Sequence, residues 1–330
     1  MSFKGLLIIC LLAICTIPVF SQEDFITYNA VILPLVDPDS IAIAIPPTRI
    51  DAGLMNLSAD SYFGDTDGSE NVRSYNVRGF WLSFYRKLSR TTQVGVSLPS
   101  TTTDIDYIGP YYPNKEYHKT RFDELYLHLN YAERFNNSMV VGTFMTSVPF
   151  QGSQIPLLHP NQSVIYSGFW RLLFGGSFSQ KISRNYQITL GGYLSWYIER
   201  SAILADGAWV DSILGQESSN IQTRWRPGPR VGLISLISRN FNGYTVSVGY
   251  KFTWKAGDHF SSIQPEGYPE FEQLTSVLSR DNLISHAVTC SVYKSIYKYR
   301  VGLSLKFDVG GSEGGLYSRQ LALQLSRCSN

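Results

Sequence analysis

The side chains in this chain that could do chemistry are few and scattered. Asp104 and Asp106 form one carboxylate pair, and Asp258, His259 and Ser261 lie together further on. A His beside a Ser nucleophile, or an Asp pair facing an Asp–His pair, is an arrangement that supports hydrolysis. Neither set has the spacing of a recognised centre, so no catalytic residue is assigned and no enzyme is expected. The sequence carries no Gly-rich phosphate loop and no metal-spaced His/Cys cluster, and neither a cofactor nor a metal is expected. The formal net charge is +2 and no Lys/Arg run supplies a phosphate-binding stripe, which argues against nucleic acid as a partner.

Charged residues recur in a different pattern, singly and on the polar side of long alternating segments. In Tyr244 to Lys255, Tyr244, Val246, Val248, Tyr250, Phe252 and Trp254 take one face, while Thr245, Ser247, Gly249, Lys251, Thr253 and Lys255 take the other. Strict period-two alternation marks a strand between two chemically distinct environments. The same pattern runs through 171–179, 186–199 and 301–308, with shorter versions at 92–98 and 125–131. In Tyr75 to Arg86 either Phe80/Leu82/Phe84 or Val77/Trp81/Tyr85 suits an apolar exterior, and Leu283 to Lys294 is equally ambiguous.

Short turns join these segments at Ser89-Arg90-Thr91, Asn136-Asn137-Ser138, Ser183-Arg184-Asn185, Ser238-Arg239-Asn240 and Ser295-Ile296-Tyr297-Lys298. They recur about every 47 to 57 residues, with long connections between them. About twelve strands are predicted, near 46–57, 73–87, 92–99, 121–133, 138–148, 164–181, 186–199, 226–237, 243–255, 283–294, 299–308 and 316–326, with fourteen as the alternative count. Their length, about 12 residues in the clearest case, suits a tilted crossing of a bilayer. Aromatics gather at strand ends (Trp81, Tyr85, Trp170, Trp196, Tyr197, Trp254), as interfacial girdles require.

Composition agrees. Charged residues are 16% and aromatics 14%, with 21 Tyr, against about 25% charge in a soluble domain. A secreted β-sandwich also alternates. Strand length, unequal loops and a polar face of Gly, Ser, Thr and Gln favour a closed all-β, up-and-down transmembrane barrel instead. Residues 1–21 read as a cleaved signal peptide, and 22–45, broken by Pro34 and Pro38, as a periplasmic lead or a plug. The barrel is expected over 46–326 and a tail over 327–330. Removal of the signal leaves Cys290 and Cys328, a pair not expected to form a disulfide.

The signal, the Ser-Arg-Asn turns and the dyad strands resemble bacterial outer-membrane β-barrel proteins across the mature chain. Among these the closest resemblance is to single-chain transport barrels of the hydrophobic-compound transporter type. It departs at the end of the last strand, where Arg327-Cys328-Ser329-Asn330 stand in place of a terminal aromatic. The resemblance implies outer-membrane location, short periplasmic turns, long extracellular loops and contact with lipid and with barrel-assembly and secretion machinery.

With apolar faces toward lipid, the opposite faces line a lumen. Its candidates are Glu124, His128, Arg171, Lys181, Tyr193, Glu199, Lys251, Lys255, Lys306 and Asp308. Basic groups outnumber acids there, so a channel or passive transporter for a small anionic or sugar-like solute is expected. A hydrophobic solute is expected instead if an apolar segment at Ser201 to Glu217, read as a short amphipathic helix with Trp209, captures it. The competing expectation is that acids and bases pair across the lumen and close it, leaving an anchor for external loops or a component of an envelope or secretion complex. The loop Thr101 to His118 supplies the ligand candidates Asp104, Asp106, Tyr107, Tyr111 and Tyr112.

Overall fold

In the computed structural model the described residues are 47–62, 71–109, 112–122, 124–150, 154–156, 169–205, 221–264, 282–312 and 316–328. The expected signal and the lead or plug segment lie outside them. The strands are β1 (Thr48–Tyr62), β2 (Asn71–Lys87), β3 (Thr92–Gly109), β4 (Tyr112–Arg121), β5 (Glu124–Phe135) and β6 (Ser138–Pro149). They continue as β7 (Gln154–Pro156), β8 (Arg171–Lys181), β9 (Tyr186–Tyr197), β10 (Arg200–Ala205), β11 (Ile221–Arg226) and β12 (Arg230–Phe241). The last are β13 (Tyr244–Lys255), β14 (His259–Gln264), β15 (Leu283–Ile296), β16 (Tyr299–Gly311) and β17 (Leu316–Cys328).

Twelve of these close into one antiparallel barrel in the order β1, β2, β3, β5, β6, β8, β9, β12, β13, β15, β16, β17, with β17 returning to β1. Closure leaves no sheet edge to satisfy in lipid, which is why strands can cross a membrane this way. β17 runs to Cys328. Arg327 and Cys328 pair with Ile50 and Arg49, so they belong to the closing strand and not to the tail expected over 327–330. Their backbone groups complete the β1 ladder.

The short turns lie at one end. Asn136 takes φ 51°, and Ser89 Oγ accepts from the backbone of Thr91 and Thr92 at 3.2 and 3.1 Å. One turn differs from its expected position. β12 continues through Ser238-Arg239-Asn240 to Phe241, and the reversal falls at Asn242-Gly243, with φ 48° and 77°. A type I′ hairpin turn needs positive φ at both central positions, which Asn-Gly supplies at least cost.

At the opposite end, segments read as loops are strands. Residues 101–109 and 112–121 form the β3–β4 hairpin, while β10, β11, β14 and β7 form a four-stranded sheet beyond the barrel. Ile203 and Leu204 therefore sit on β10, paired with Gln222 and Ile221, and not on a helix. Barrel strands that keep their pairing past the rim retain their backbone hydrogen bonds, and this outweighs a weak helical pattern in so short a run. Trp209 and the rest of that segment lie outside the described residues.

The apolar exterior faces lipid. Phe80, Leu82, Phe84, Phe174, Leu190, Leu194, Val248 and Leu233 are exposed side chains on outward positions. Phe80/Leu82/Phe84 thereby win the ambiguous strand, and Trp81 and Tyr85 turn inward together with Tyr197, against the girdle role expected for them. Parity forces this: every second side chain of a strand shares one face. Outward Trp170 and Trp196 mark one interface, and outward Tyr186, Phe241 and Tyr299 the other. From Tyr186 to Trp196 is about 33 Å along β9, or about 25 Å at barrel tilt, matching an outer-membrane apolar band.

Candidate functional site: the inner wall of the barrel

The inner wall is built from the buried alternate positions of each strand. It mixes Ser, Thr, Gln and Asn, with Gln93, Asn130, Thr143, Thr189, Ser291 and Gln324 among them, and apolar side chains, of which Met139, Val141, Met145, Leu173, Ile234 and Leu236 cluster with Tyr126, Tyr193 and Tyr293. Eight predicted lumen residues lie on this face and are buried: Glu124, His128, Arg171, Tyr193, Lys251, Lys255, Lys306 and Asp308. The other two lie toward the rims. Glu199, half-buried at the far mouth, accepts from Arg224 at 2.9 Å, and Lys181 ends β8 beside the short turns.

A recurring device organises the larger side chains. Four inward aromatic rings each cover a glycine directly across the ladder: Trp81 over Gly53, Tyr85 over Gly95, Tyr193 over Gly232 and Tyr293 over Gly302. A Cβ on those glycines would come within 1.9, 2.2, 2.1 and 2.3 Å of the ring. Any other residue would therefore push the ring off the wall. Three rings carry a cation: Arg49 over Tyr85 at 4.1 Å, Lys251 over Tyr193 at 5.9 Å and Arg300 over Tyr293 at 4.6 Å.

The interior ion pairs run along the wall. Arg49 meets Asp51 at 3.0 Å, two residues on along β1. Lys306 meets Asp308 at 2.8 Å along β16, and Asp308 also accepts from the Ser318 backbone at 3.1 Å and from its hydroxyl. Lys255 meets Asp258 at 2.6 Å, and the same carboxylate oxygen accepts from Gly228 N at 2.9 Å. Buried charges are tolerable when paired and hydrogen-bonded in this way. The expected pairing across the lumen is not what these three pairs do.

Toward the far mouth, one ladder row carries Ser97, Tyr126, Ser147, Arg171 and Tyr197 on neighbouring strands. The Arg171 guanidinium lies 5.9 Å from the Tyr126 ring and 5.8 Å from the Tyr197 ring, and the Tyr126 hydroxyl donates to Glu124. Ser147 donates to Phe169 O at 2.6 Å, and Phe169 packs edge-on against Trp225 at 4.9 Å and Tyr197 at 6.3 Å. From the same row Ser97 Oγ lies 2.7 Å from His128 Nε2 and 2.6 Å from Ser83 Oγ, with Tyr85 against the imidazole at 5.5 Å.

The structure sorts the remaining candidates. Asp104, Asp106, Tyr107 and Tyr112 fall on the β3–β4 hairpin and not in a loop, with Asp104 opposite His118 in register. Tyr111 lies outside the described residues. Asp258 is committed to Lys255 and Gly228, while His259 is exposed at the start of β14, so the two hold separate places. Among the described residues no group of His, Cys, Asp and Glu could hold a metal ion. Arg49, Asp51, Phe169, Trp225 and the glycine seats were not legible as site residues. The signal available was glycine at alternating inward positions, which becomes meaningful only once the register is known.

No protein-family model matches the chain, and no curated protein matches it. Its fold is similar to that of an outer-membrane channel from Pseudomonas putida F1, with 13% identity, a TM-score of 0.62, 89% of this chain covered and 100% of that one. The beta domain of the Bordetella autotransporter BrkA follows at 8% identity and a TM-score of 0.48, covering 86% of this chain and 100% of that one. A TodX monoaromatic hydrocarbon channel mutant gives 8% identity and a TM-score of 0.46, covering 90% of this chain and 94% of that one. The last two scores are too low to carry an argument. The first shows the fold, and with the lipid-facing belt this chain is a membrane-spanning β-barrel.

Proposed function

We propose that the chain is a passive channel for small polar solutes across the outer membrane, selecting among them by charges on its inner wall. The observation that carries this reading is the seating of inward rings on cross-strand glycines. A ring that covers a glycine lies along the wall, so these four wide side chains take up little of the lumen, whereas Tyr126 and Tyr197 stand opposite Ser147 and Arg171. Ion pairs lying along β1 and β16 support the same reading, because they satisfy charge without a strut across the barrel. Twelve strands also enclose more room than the eight whose side chains fill a barrel. The fold likeness to a channel is consistent with it.

The solute class follows from what lines the wall. Arg171 between two tyrosines and Lys251 over Tyr193 present positive charge beside aromatic faces, among many hydroxyls. Such a surface suits an anionic or polyhydroxylated solute. In this reading residues 1–21 are removed and 22–45 lead into the barrel or plug it.

A closed barrel that anchors external structure is the second reading, favoured by the sheet beyond the rim and by Phe169 packed between Tyr197 and Trp225 at the mouth. Single-channel recording of the purified chain in planar bilayers decides between them. Discrete conductance steps with anions preferred over cations are expected. No conductance at any ionic strength overturns the channel and leaves the anchor.

A further inference from the structure

On the outer surface near the short turns, the same small motif occurs three times. Arg239 on β12 faces its ladder partner Tyr186 on β9, with the guanidinium 5.2 Å from the ring. Lys294 on β15 faces Tyr244 on β13, its ammonium 4.1 Å from the ring and donating to the hydroxyl at 2.8 Å. Arg327 on β17 faces Tyr299 on β16 at 5.8 Å. The six strands follow one another around the barrel, so the pairs form one arc. Lys298, 5.5 Å from the Tyr297 ring in the β15–β16 turn, lies within it.

Each pair sits where the lipid-facing belt ends. Leu190 follows Tyr186, Val246 and Val248 follow Tyr244, and Val301 follows Tyr299 on the same outward faces, all exposed. Outside the arc, the β2–β3 and β8–β9 turns carry exposed Arg90 and Arg184, and Glu133 on β5 accepts from the Tyr131 hydroxyl. A tyrosine ring at the end of an apolar belt lies at headgroup depth, and a base held over it reaches the phosphate level.

We propose that this arc binds the phosphates of anionic phospholipids at the short-turn surface, which in barrels of this build is the periplasmic one. The tyrosine fixes each base against the wall and its ring packs on the first acyl carbons, while the cation meets the phosphodiester. A lipid is favoured over a soluble protein because acyl chains already cover the side chains directly above each pair. The proposal does not depend on conduction.

The test uses the whole chain, purified in nonionic detergent, with phosphatidylglycerol or phosphatidylcholine added and lipid retention read by native mass spectrometry. Wild type is expected to retain phosphatidylglycerol preferentially. The triple variant Arg239→Gln, Lys294→Gln, Arg327→Gln should bind it about a hundredfold more weakly, at about fivefold per charge removed. Heat-modifiable gel migration checks that the variant is folded. If it is not, wild type in about 1 M salt serves instead, where the preference should collapse because screening then acts over about 3 Å. Equal retention of both lipids, or a preference that survives both the variant and the salt, overturns the proposal. So does full competition by millimolar glycerol phosphate, which would make the ligand a free phosphate.

Discussion

The Tyr193 ring covers Gly232, its partner across the β9–β12 ladder, and Lys251 stands 5.9 Å from the same ring. A methyl group on Gly232 would meet the ring at 2.1 Å, so the two positions are one unit of the inner wall. Replacing Gly232 by Ala should lift Tyr193 into the lumen. Overpacking of this kind costs about 1–3 kcal/mol. Urea unfolding from detergent should show that loss, and single-channel recording should show a lower conductance. Adding Tyr193→Ala should restore conductance; a double variant as poorly conducting as Gly232→Ala would refute the seat.

Selectivity should follow the bases on the inner wall. Arg171→Glu and Lys251→Glu each place an acid where a base now lies beside tyrosine. Reversal potentials in a salt gradient are expected to move toward cation preference in both variants. An unchanged potential with normal conductance would take these residues out of the filter.

Asp258 joins two rim segments by accepting from Lys255 Nζ at 2.6 Å and from Gly228 N at 2.9 Å. Asp258→Ala removes the carboxylate from a buried lysine and should cost about 3 kcal/mol. Gly228→Ala should also destabilise the mouth, because its Cβ would lie 1.9 Å from the Ala256 carbonyl oxygen, which is backbone and cannot turn aside. Both effects are read from unfolding midpoints of the refolded barrel.

Leu190 lies outward and exposed between Tyr186 and Trp196, near the middle of the apolar band. Leu190→Arg is expected to cost about 2–4 kcal/mol in vesicles, the penalty for a cation at the bilayer midplane. A cost near zero would mean this face does not meet lipid.

Among the described residues neither Cys290 nor Cys328 is in a disulfide. Cys290 points outward at mid-strand between inward Thr289 and Ser291, whereas Cys328 closes β17 at the short-turn rim. In intact proteoliposomes a membrane-permeant maleimide should label both, and a charged one Cys328 alone. Rapid labelling of Cys290 by the charged reagent would place that face in water.

Much of this was readable because a barrel strand writes both of its environments into consecutive residues. The alternation of Tyr244 to Lys255 predicted Lys251 and Lys255 inside and Val246 and Val248 outside, and that is where they lie. Trp81 and Tyr85 were not assignable, because both faces of β2 are apolar and either parity satisfies the sequence. The loop reading of 101–118 failed for a related reason. Residues 101–109 and 112–121 carry no strict apolar/polar alternation to reveal them.

The local period therefore fixed the twelve membrane-crossing strands and the apolar faces of those that alternate cleanly, and the need to satisfy backbone groups in lipid fixed the closed barrel. The sequence also held the inward position of most of the charges. Which residues meet across the ladder emerges only from the folded barrel. Tyr193 and Gly232 are 39 positions apart, and Arg49 and Cys328 come from opposite ends of the chain. Register between strands converts scattered glycines into seats for rings and scattered bases into cation–aromatic pairs, and register is set by pairing over the whole circle.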